Sequence, residues 1–297
     1  MVAMLRASSL QYRGNAGVLV LIRENRPWRL GLWVSCDGDG QPMADLLTAA
    51  ALSLICLLLC LRALGHASRR RYALLSVLFV FVLTASTDAG KLLPANLRFP
   101  GHYNWTGKLL ELITSLLAIA LLSGLDKWKR EDFGLRWSFD SGTGRDVLRF
   151  LLPVMFVELI ALWFMVPGEM PSFEDHFFQL TAPGISEELA FRGVLLALLD
   201  RAFLSRVRIL NAELGWSTLV TSLLFGLWHG LDVDGHFHVS LAVAPMVIPT
   251  LGGFVVAWCR ARSGSLLLPI LAHSGMNEMV NVIALVKVKM ATRRPAV

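Results

Sequence analysis

Three charged side chains lie within six residues of one apolar segment: Glu187, Glu188 and Arg192. Charged groups in a membrane-spanning helix cost about 2.5–3.5 kcal/mol each on insertion scales, so they face the bundle interior and usually have a function. Glu188 and Arg192 are four residues apart and can pair on one helix face, whereas Glu187 points about 100° away. We expect Arg192 to neutralise Glu188 and Glu187 to face a cavity as a general base. An ion pair that only joins two helices explains these three residues equally well.

Two further segments carry polar groups that could complete such a site. One ends with Phe225 and His229, and the other contains His273 and Asn277, whose four-residue spacing puts imidazole and carboxamide on one helix face. A single intramembrane histidine is more often a packing residue, and an interhelical hydrogen bond contributes about 0.6 kcal/mol on average. Three such segments in a chain with seven histidines predict a base, a water-orienting group and two donors for an oxyanion.

The apolar composition indicates that these segments lie in a membrane. Apolar residues (AVILMFWYC) form 55% of the 297 residues, and only 17% are charged. Several apolar runs reach the ~20 residues that a helix needs to cross the hydrocarbon layer, where backbone groups must pair within the segment. The sequence therefore predicts an all-α fold, a polytopic transmembrane helical bundle of about eight helices. The predicted helices span residues 45–64, 72–90, 107–125, 148–166, 173–203, 215–231, 239–259 and 265–286.

The net charge of +6 comes from Lys and Arg in short loops between the apolar runs, which is how membrane orientation is encoded. We therefore expect no nucleic-acid partner. The more basic loops are predicted to face the cytoplasm, although both ends of an eight-helix bundle would then lie outside, which fits poorly with the basic tail that follows Lys287. These loops contain Arg69, Arg70 and Arg71; Lys127, Lys129 and Arg130; Arg201, Arg206 and Arg208; and Arg260 and Arg262.

Residues 1–42 differ from the rest because they are mixed in polarity and have no clear period. They are predicted to be an amino-terminal extramembrane tail, unless Met43 is the true start. The membrane domain is predicted to occupy residues 43–290. The cysteines form no disulfide framework or zinc pattern, and are interpreted as small apolar residues. They are Cys36, Cys56, Cys60 and Cys259.

The three motifs resemble those of the CAAX prenyl-protease and bacteriocin-processing (Abi) family of intramembrane endopeptidases. Residues 173–280 carry nearly all of the resemblance, which implies a protease domain in a multi-pass protein of the bacterial inner (plasma) membrane. The motifs read Glu187-Glu188-x-x-x-Arg192, Phe225-x-x-x-His229 and His273-x-x-x-Asn277.

The resemblance also implies roles for these residues. Glu187 and His229 would activate a water that attacks a peptide carbonyl, and His273 and Asn277 would hold the oxyanion. The substrates would be membrane-associated or exported peptides and proteins at the lipid bilayer. The supporting positions would be Glu188, Arg192 and Phe225.

Other interpretations stay open at this point. Glu187, His229 and His273 would also suit a catalytic zinc, which takes three protein ligands and a water. Because HExxH is absent and the family is read as glutamate-dependent, we expect no cofactor. A non-catalytic scaffold or bacteriocin-immunity protein would share the fold, and a transporter could use the same groups as a proton relay, but it would more often show inverted repeats. Glu111 and Glu158 are expected to line the cavity or to pair with Lys or Arg.

Overall fold

The computed structural model describes residues 18–22, 29–33 and 42–292. In these residues the chain forms eight long helices and three short antiparallel strand pairs. Helix α5 is continuous through three segments, of which the middle one is π-helical: Phe173–Glu188, Leu189–Leu195 and Leu196–Ala202. The other helices are α1 Pro42–Leu59, α2 Ala67–Leu92, α3 Trp105–Asp126, α4 Thr143–Met165, α6 Trp216–Gly230, α7 Val243–Ser263 and α8 Leu267–Thr292. The short helices are Leu61–Leu64, Ala95–Leu97 and Arg130–Phe133.

The strand pairs are hairpins at the ends of helices or in the amino-terminal segment. They are β1 Val18–Ile22 with β2 Arg29–Trp33, β3 Arg206–Ile209 with β4 Ala212–Gly215, and β5 Leu231–Val233 with β6 Val239–Leu241. The sequence analysis predicted none of them. The rest of the predicted tail, including Cys36, lies outside the described residues.

The predicted all-α bundle is confirmed, and its helices agree with the predicted segments. Five of them (α1, α2, α3, α4 and α7) are long and apolar enough to cross a membrane by length and composition. Helix α6 is short, with 15 residues, and α5 carries the charged groups of the first motif. Neither is therefore a long, uniformly apolar helix.

The surface of the bundle is apolar, as expected for a protein surrounded by lipid. On α4, Phe156, Val157 and Phe164 are 61%, 65% and 81% exposed. An exposed apolar face of this kind would promote aggregation in water, whereas in a bilayer it contacts acyl chains. The interior holds charged groups instead, among them Glu187 and Arg192.

Helix α5 runs through the middle of the bundle and presents the charged motif to its neighbours. Every residue of its π-helical segment Leu189–Leu195 is buried, in a core shared with α1, α2 and α6. Helix α7 approaches α6 closely because Gly226 has no side chain, since a Cβ there would lie 2.3 Å from the Met246 carbonyl oxygen. This contact packs α7 against α6.

Candidate active site

The predicted pair of Glu188 and Arg192 forms at the centre of the bundle. Arg192 Nη1 donates to Glu188 Oε1 at 2.9 Å, and Nη2 donates to the Gly253 carbonyl oxygen on α7 at 3.0 Å. Both charged side chains are 0% exposed. The guanidinium lies 4.4 Å from the centre of the Phe225 ring, an arrangement that favours cation–π attraction. Arg192 therefore joins α5 to both α6 and α7.

Glu188 has a second partner that the sequence analysis did not predict. His273 Nδ1 lies 2.7 Å from the same oxygen, Glu188 Oε1. An ionised carboxylate only accepts hydrogen bonds, so Nδ1 carries the proton in this contact. The other ring nitrogen, Nε2, lies 3.7 Å from Glu187 Oε2. Glu188 therefore fixes the orientation of His273 as well as that of Arg192.

His229 is oriented in a similar way by its own helix. Its Nδ1 lies 2.8 Å from the Phe225 carbonyl oxygen, which can only accept, so Nδ1–H is the donor. Its Nε2 lies 3.9 Å from Glu187 Oε2. The ring packs edge-on against Phe225, with 4.6 Å between ring centres. Two histidines from different helices thus direct their Nε2 atoms towards one carboxylate oxygen.

That oxygen, Glu187 Oε2, is buried and has no hydrogen-bond partner within the described part of the chain. Its distances to the two histidines, 3.7 and 3.9 Å, are longer than direct hydrogen bonds. Separations of this size between polar atoms are commonly bridged by water. The geometry therefore leaves a polar position between Glu187, His229 and His273.

Glu187 lines a cavity, and one of its two oxygens has a partner that the sequence analysis did not predict. Lys108 Nζ on α3 lies 2.5 Å from Glu187 Oε1 and 2.9 Å from Glu111 Oε2. The ammonium also lies 4.7 Å from the centre of the Trp228 ring. Lys108 is 7% exposed and Glu111 is 0% exposed. Only Oε2 is left to take part in chemistry, and Glu111 is among the residues expected to pair with Lys or Arg.

Sequence reasoning missed Lys108 because it lies 79 positions before Glu187 and close to the start of its helix. A lysine near a helix end is ordinarily interpreted as reaching the membrane interface. The useful signal was Glu111, three residues later in the same apolar run, because a buried acid needs a cation close by.

Two cavities meet at Glu187 and His229. The first has a volume of about 410 Å³ and is lined mainly by apolar side chains. Glu158, which was expected to line a cavity, is among its lining residues. All four of the predicted catalytic residues, Glu187, His229, His273 and Asn277, line it. The second, of about 430 Å³, is more polar and includes Lys108 among its lining residues. Glu187 and His229 therefore lie between an apolar cavity and a more polar one.

Within residues 42–292 and the two amino-terminal strands, no three His, Cys, Asp or Glu side chains are grouped as they would be around a metal ion. The alternative zinc ligands, Glu187, His229 and His273, therefore do not form such a group.

The loop that follows His229 is solvated. Asp234 accepts hydrogen bonds from the backbone amides of His238 and His236 and from the His238 ring. These bonds, led by the His238 amide, lower the pKa of the Asp234 carboxyl to about 2. The His238 side chain is 80% exposed, so this cluster stabilises its own turn.

A comparison with known families shows which proteins this segment is similar to. The model of the family described as type II CAAX prenyl endopeptidase Rce1-like matches residues 172–279. This segment is similar to the Rce1-like family. The match confirms the resemblance found from the motifs and supports a membrane protease with a peptide substrate. No curated protein and no solved structure matches the chain.

The Rce1-like segment begins at Ser172, which caps α5 by accepting from the amide of Asp175 at 3.2 Å, and it ends within α8. It contains every residue of the three motifs. Lys108 and Glu111 lie outside it, on α3. The buried charge network therefore joins the Rce1-like segment to the preceding part of the chain.

Proposed function

We propose that this chain is an intramembrane endopeptidase that hydrolyses peptide bonds of membrane-associated or exported protein substrates. One observation carries the proposal: Glu187, His229, His273 and Asn277, from three helices of the Rce1-like segment, line a single 410 Å³ cavity. A scaffold that acts only by binding a partner has no need of this set.

The first step is the attack of a water molecule on the scissile carbonyl carbon. The water lies between Glu187 Oε2 and His229 Nε2 and donates one hydrogen bond to each, since both atoms are acceptors in the arrangement described above. As the new C–O bond forms, Glu187 takes the proton and acts as the general base. Lys108 stays on Oε1, so the carboxylate keeps Oε2 turned towards the water.

The second requirement is stabilisation of the oxyanion that forms on the carbonyl oxygen. The Asn277 carboxamide supplies one N–H donor. His273 donates to Glu188 through Nδ1, so it must also carry a proton on Nε2 to donate a second bond. Glu188, which accepts from both His273 and Arg192, stabilises this imidazolium. Each such donor contributes about 2.7–4 kcal/mol in well-studied proteases. Collapse of the intermediate breaks the C–N bond, and Glu187 returns its proton to the leaving amine.

In this mechanism one cavity holds the substrate and the other holds solvent. The apolar cavity fits apolar substrate side chains, and the polar cavity, lined by Thr48, Thr87 and Lys108 among others, admits water. His229 is the penultimate residue of α6, at the end opposite to the basic loops. The site therefore opens to the non-cytoplasmic side of the membrane, which we take to be a bacterial plasma membrane.

The mechanism needs no cofactor, because Glu187 supplies the base and His273 with Asn277 supplies the donors. We expect the purified enzyme to keep its activity in strong chelators and to contain no stoichiometric zinc. Loss of activity on chelation that zinc restores would replace this mechanism with a metal-dependent one.

The proposal is tested by mapping new protein termini in membrane and secreted fractions of cells that carry wild-type protein or Glu187→Gln. Glu213→Gln is the matched control, because Glu213 lies on the exposed side of β4 and lines neither of the two cavities at Glu187. We expect a set of termini that the wild type and Glu213→Gln share and Glu187→Gln lacks. Full biological activity of Glu187→Gln would support the scaffold instead.

A further inference from the structure

A groove of about 860 Å³ lies at the opposite end of the bundle from His229. It is formed where α1 ends and α2 begins, and where α5 ends and α6 begins. All of these ends belong to the side that carries the basic loops. Its lining includes Leu58, Arg62, His66, Arg69, Leu204 and Trp216.

The charged residues that line the groove are all basic. It is lined by Arg62 and Arg69, and none of its lining residues is acidic. Two other arginines on this side are paired: Arg71 lies 3.1 Å from Asp126, and Arg206 lies 2.8 Å from Asp200. Among the ion pairs of the described residues, none involves Arg62 or Arg69. The groove therefore offers two guanidinium groups to an anion from outside the chain.

The walls of the groove are apolar and continue onto the surface that faces lipid. Leu58, Leu61 and Leu204 are 54%, 56% and 62% exposed, and Trp216 is 44% exposed. Tryptophan is enriched where a membrane protein crosses from acyl chains to headgroups. A soluble phosphate would use the guanidinium groups and leave these walls uncovered. A ligand with an acyl chain next to its anionic group would use both.

We propose that this groove binds an anionic phospholipid of the leaflet on the basic side, with its phosphate between Arg62 and Arg69 and an acyl chain along Leu58, Leu61 and Leu204. Guanidinium groups bind phosphate oxygens through two parallel hydrogen bonds. The apolar walls give the lipid an advantage over inorganic phosphate. This site is independent of the proposed peptidase activity, because it shares no lining residue with either cavity at Glu187.

The test uses the purified full chain in a neutral detergent and native mass spectrometry with added lipid. Dioleoylphosphatidylglycerol is the anionic probe, dioleoylphosphatidylcholine has the same chains without net charge, and inorganic phosphate is the soluble anion. We expect phosphatidylglycerol to bind in preference to phosphatidylcholine. We also expect millimolar inorganic phosphate not to displace it.

The variant Arg62→Gln/Arg69→Gln should lower phosphatidylglycerol binding by about twenty-five-fold, since each basic residue near a membrane surface is worth a factor of about five. The matched control is Arg70→Gln/Arg208→Gln, which removes the same charge from the same side but from residues outside the groove; it should bind like the wild type. Arg62→Lys/Arg69→Lys keeps both charges but loses the paired hydrogen bonds of the guanidinium groups. It should bind phosphatidylglycerol more weakly than the wild type but still in preference to phosphatidylcholine, which covers the case in which the double glutamine variant does not fold.

Three outcomes would overturn the proposal. One is equal binding of the two lipids by the wild type. Another is an equal loss of binding in the two glutamine variants, which would make the effect one of overall charge. The third is displacement of the lipid by inorganic phosphate, which would make the groove a site for a soluble anion.

Discussion

Replacing Lys108 by methionine tests the buried charge network directly, because methionine keeps a long unbranched side chain and removes only the ammonium. In the variant, Glu187 Oε1 and Glu111 Oε2 lose the donor that now lies 2.5 and 2.9 Å away. These two carboxylates are 1% and 0% exposed, so they stay largely desolvated when the ammonium is removed.

The size of the effect follows from that burial. Removing one partner of a buried ion pair costs about 3–5 kcal/mol, because the remaining charge stays desolvated. Here two carboxylates lose a shared cation, which puts the expected loss in the free energy of unfolding at the upper part of that range near neutral pH. The deficit should shrink as the pH falls, because protonating the two carboxyl groups removes the buried charge.

The assay is thermal unfolding in detergent across a pH series, for wild type, Lys108→Met, Glu111→Gln and the double variant. The double variant should be less destabilised than Lys108→Met alone, because it leaves one unpaired carboxylate instead of two. Lys289→Met is the control: Lys289 is exposed in the last turn of α8, and exposed changes of this kind stay within about 0.5 kcal/mol.

A Lys108→Met protein as stable as Lys289→Met at neutral pH would refute the reasoning. A deficit independent of pH would also refute it, because it would point to lost packing instead of unpaired charge.

Three further predictions concern Glu188, His229 and Gly226. Glu188→Gln removes the carboxylate that stabilises a protonated His273, so kcat for a cleaved peptide should fall about 10²–10³-fold with little change in KM; a change confined to KM would contradict this role. His229→Ala should lower kcat about 10²–10⁴-fold while the melting temperature changes by much less than in Lys108→Met, and unchanged cleavage would remove His229 from the mechanism. Gly226→Ala should destabilise the protein by about 1–3 kcal/mol in thermal unfolding, since its Cβ would lie 2.3 Å from the Met246 carbonyl; Gly124→Ala, where no atom lies within 4 Å of the new Cβ, is the matched control and should be neutral or stabilising.

The helices and the ion pair of Glu188 with Arg192 could be predicted from the sequence, because both depend on short-range patterns. Apolar runs of membrane length form helices whatever the rest of the fold does, and the four-residue spacing of Glu188 and Arg192 needs only the helix itself. The approach of His229, His273 and Asn277 to one cavity was expected because each segment carried a polar group that lipid would not solvate.

Contacts between segments that are distant along the chain could not be predicted from such patterns. The bond from His273 to Glu188 and the bond from Lys108 to Glu187 depend on which helices are neighbours, and spacing along one helix does not contain that information. The hairpin of β3 and β4 was missed for a local reason. Its turn places Leu210 and Asn211 at φ values of 47° and 65°, and hairpin turns of this kind are usually marked by Asn-Gly or Asp-Gly.

The central claim is that Glu187 is the base that activates water. It is tested most directly by the rate at which purified Glu187→Gln cleaves a peptide that spans one of the termini produced by the wild type, with both proteins shown to be folded by thermal unfolding. We predict that the rate falls by at least about 10²–10⁴-fold, the contribution of a positioned general base. Cleavage at the wild-type rate would contradict the account.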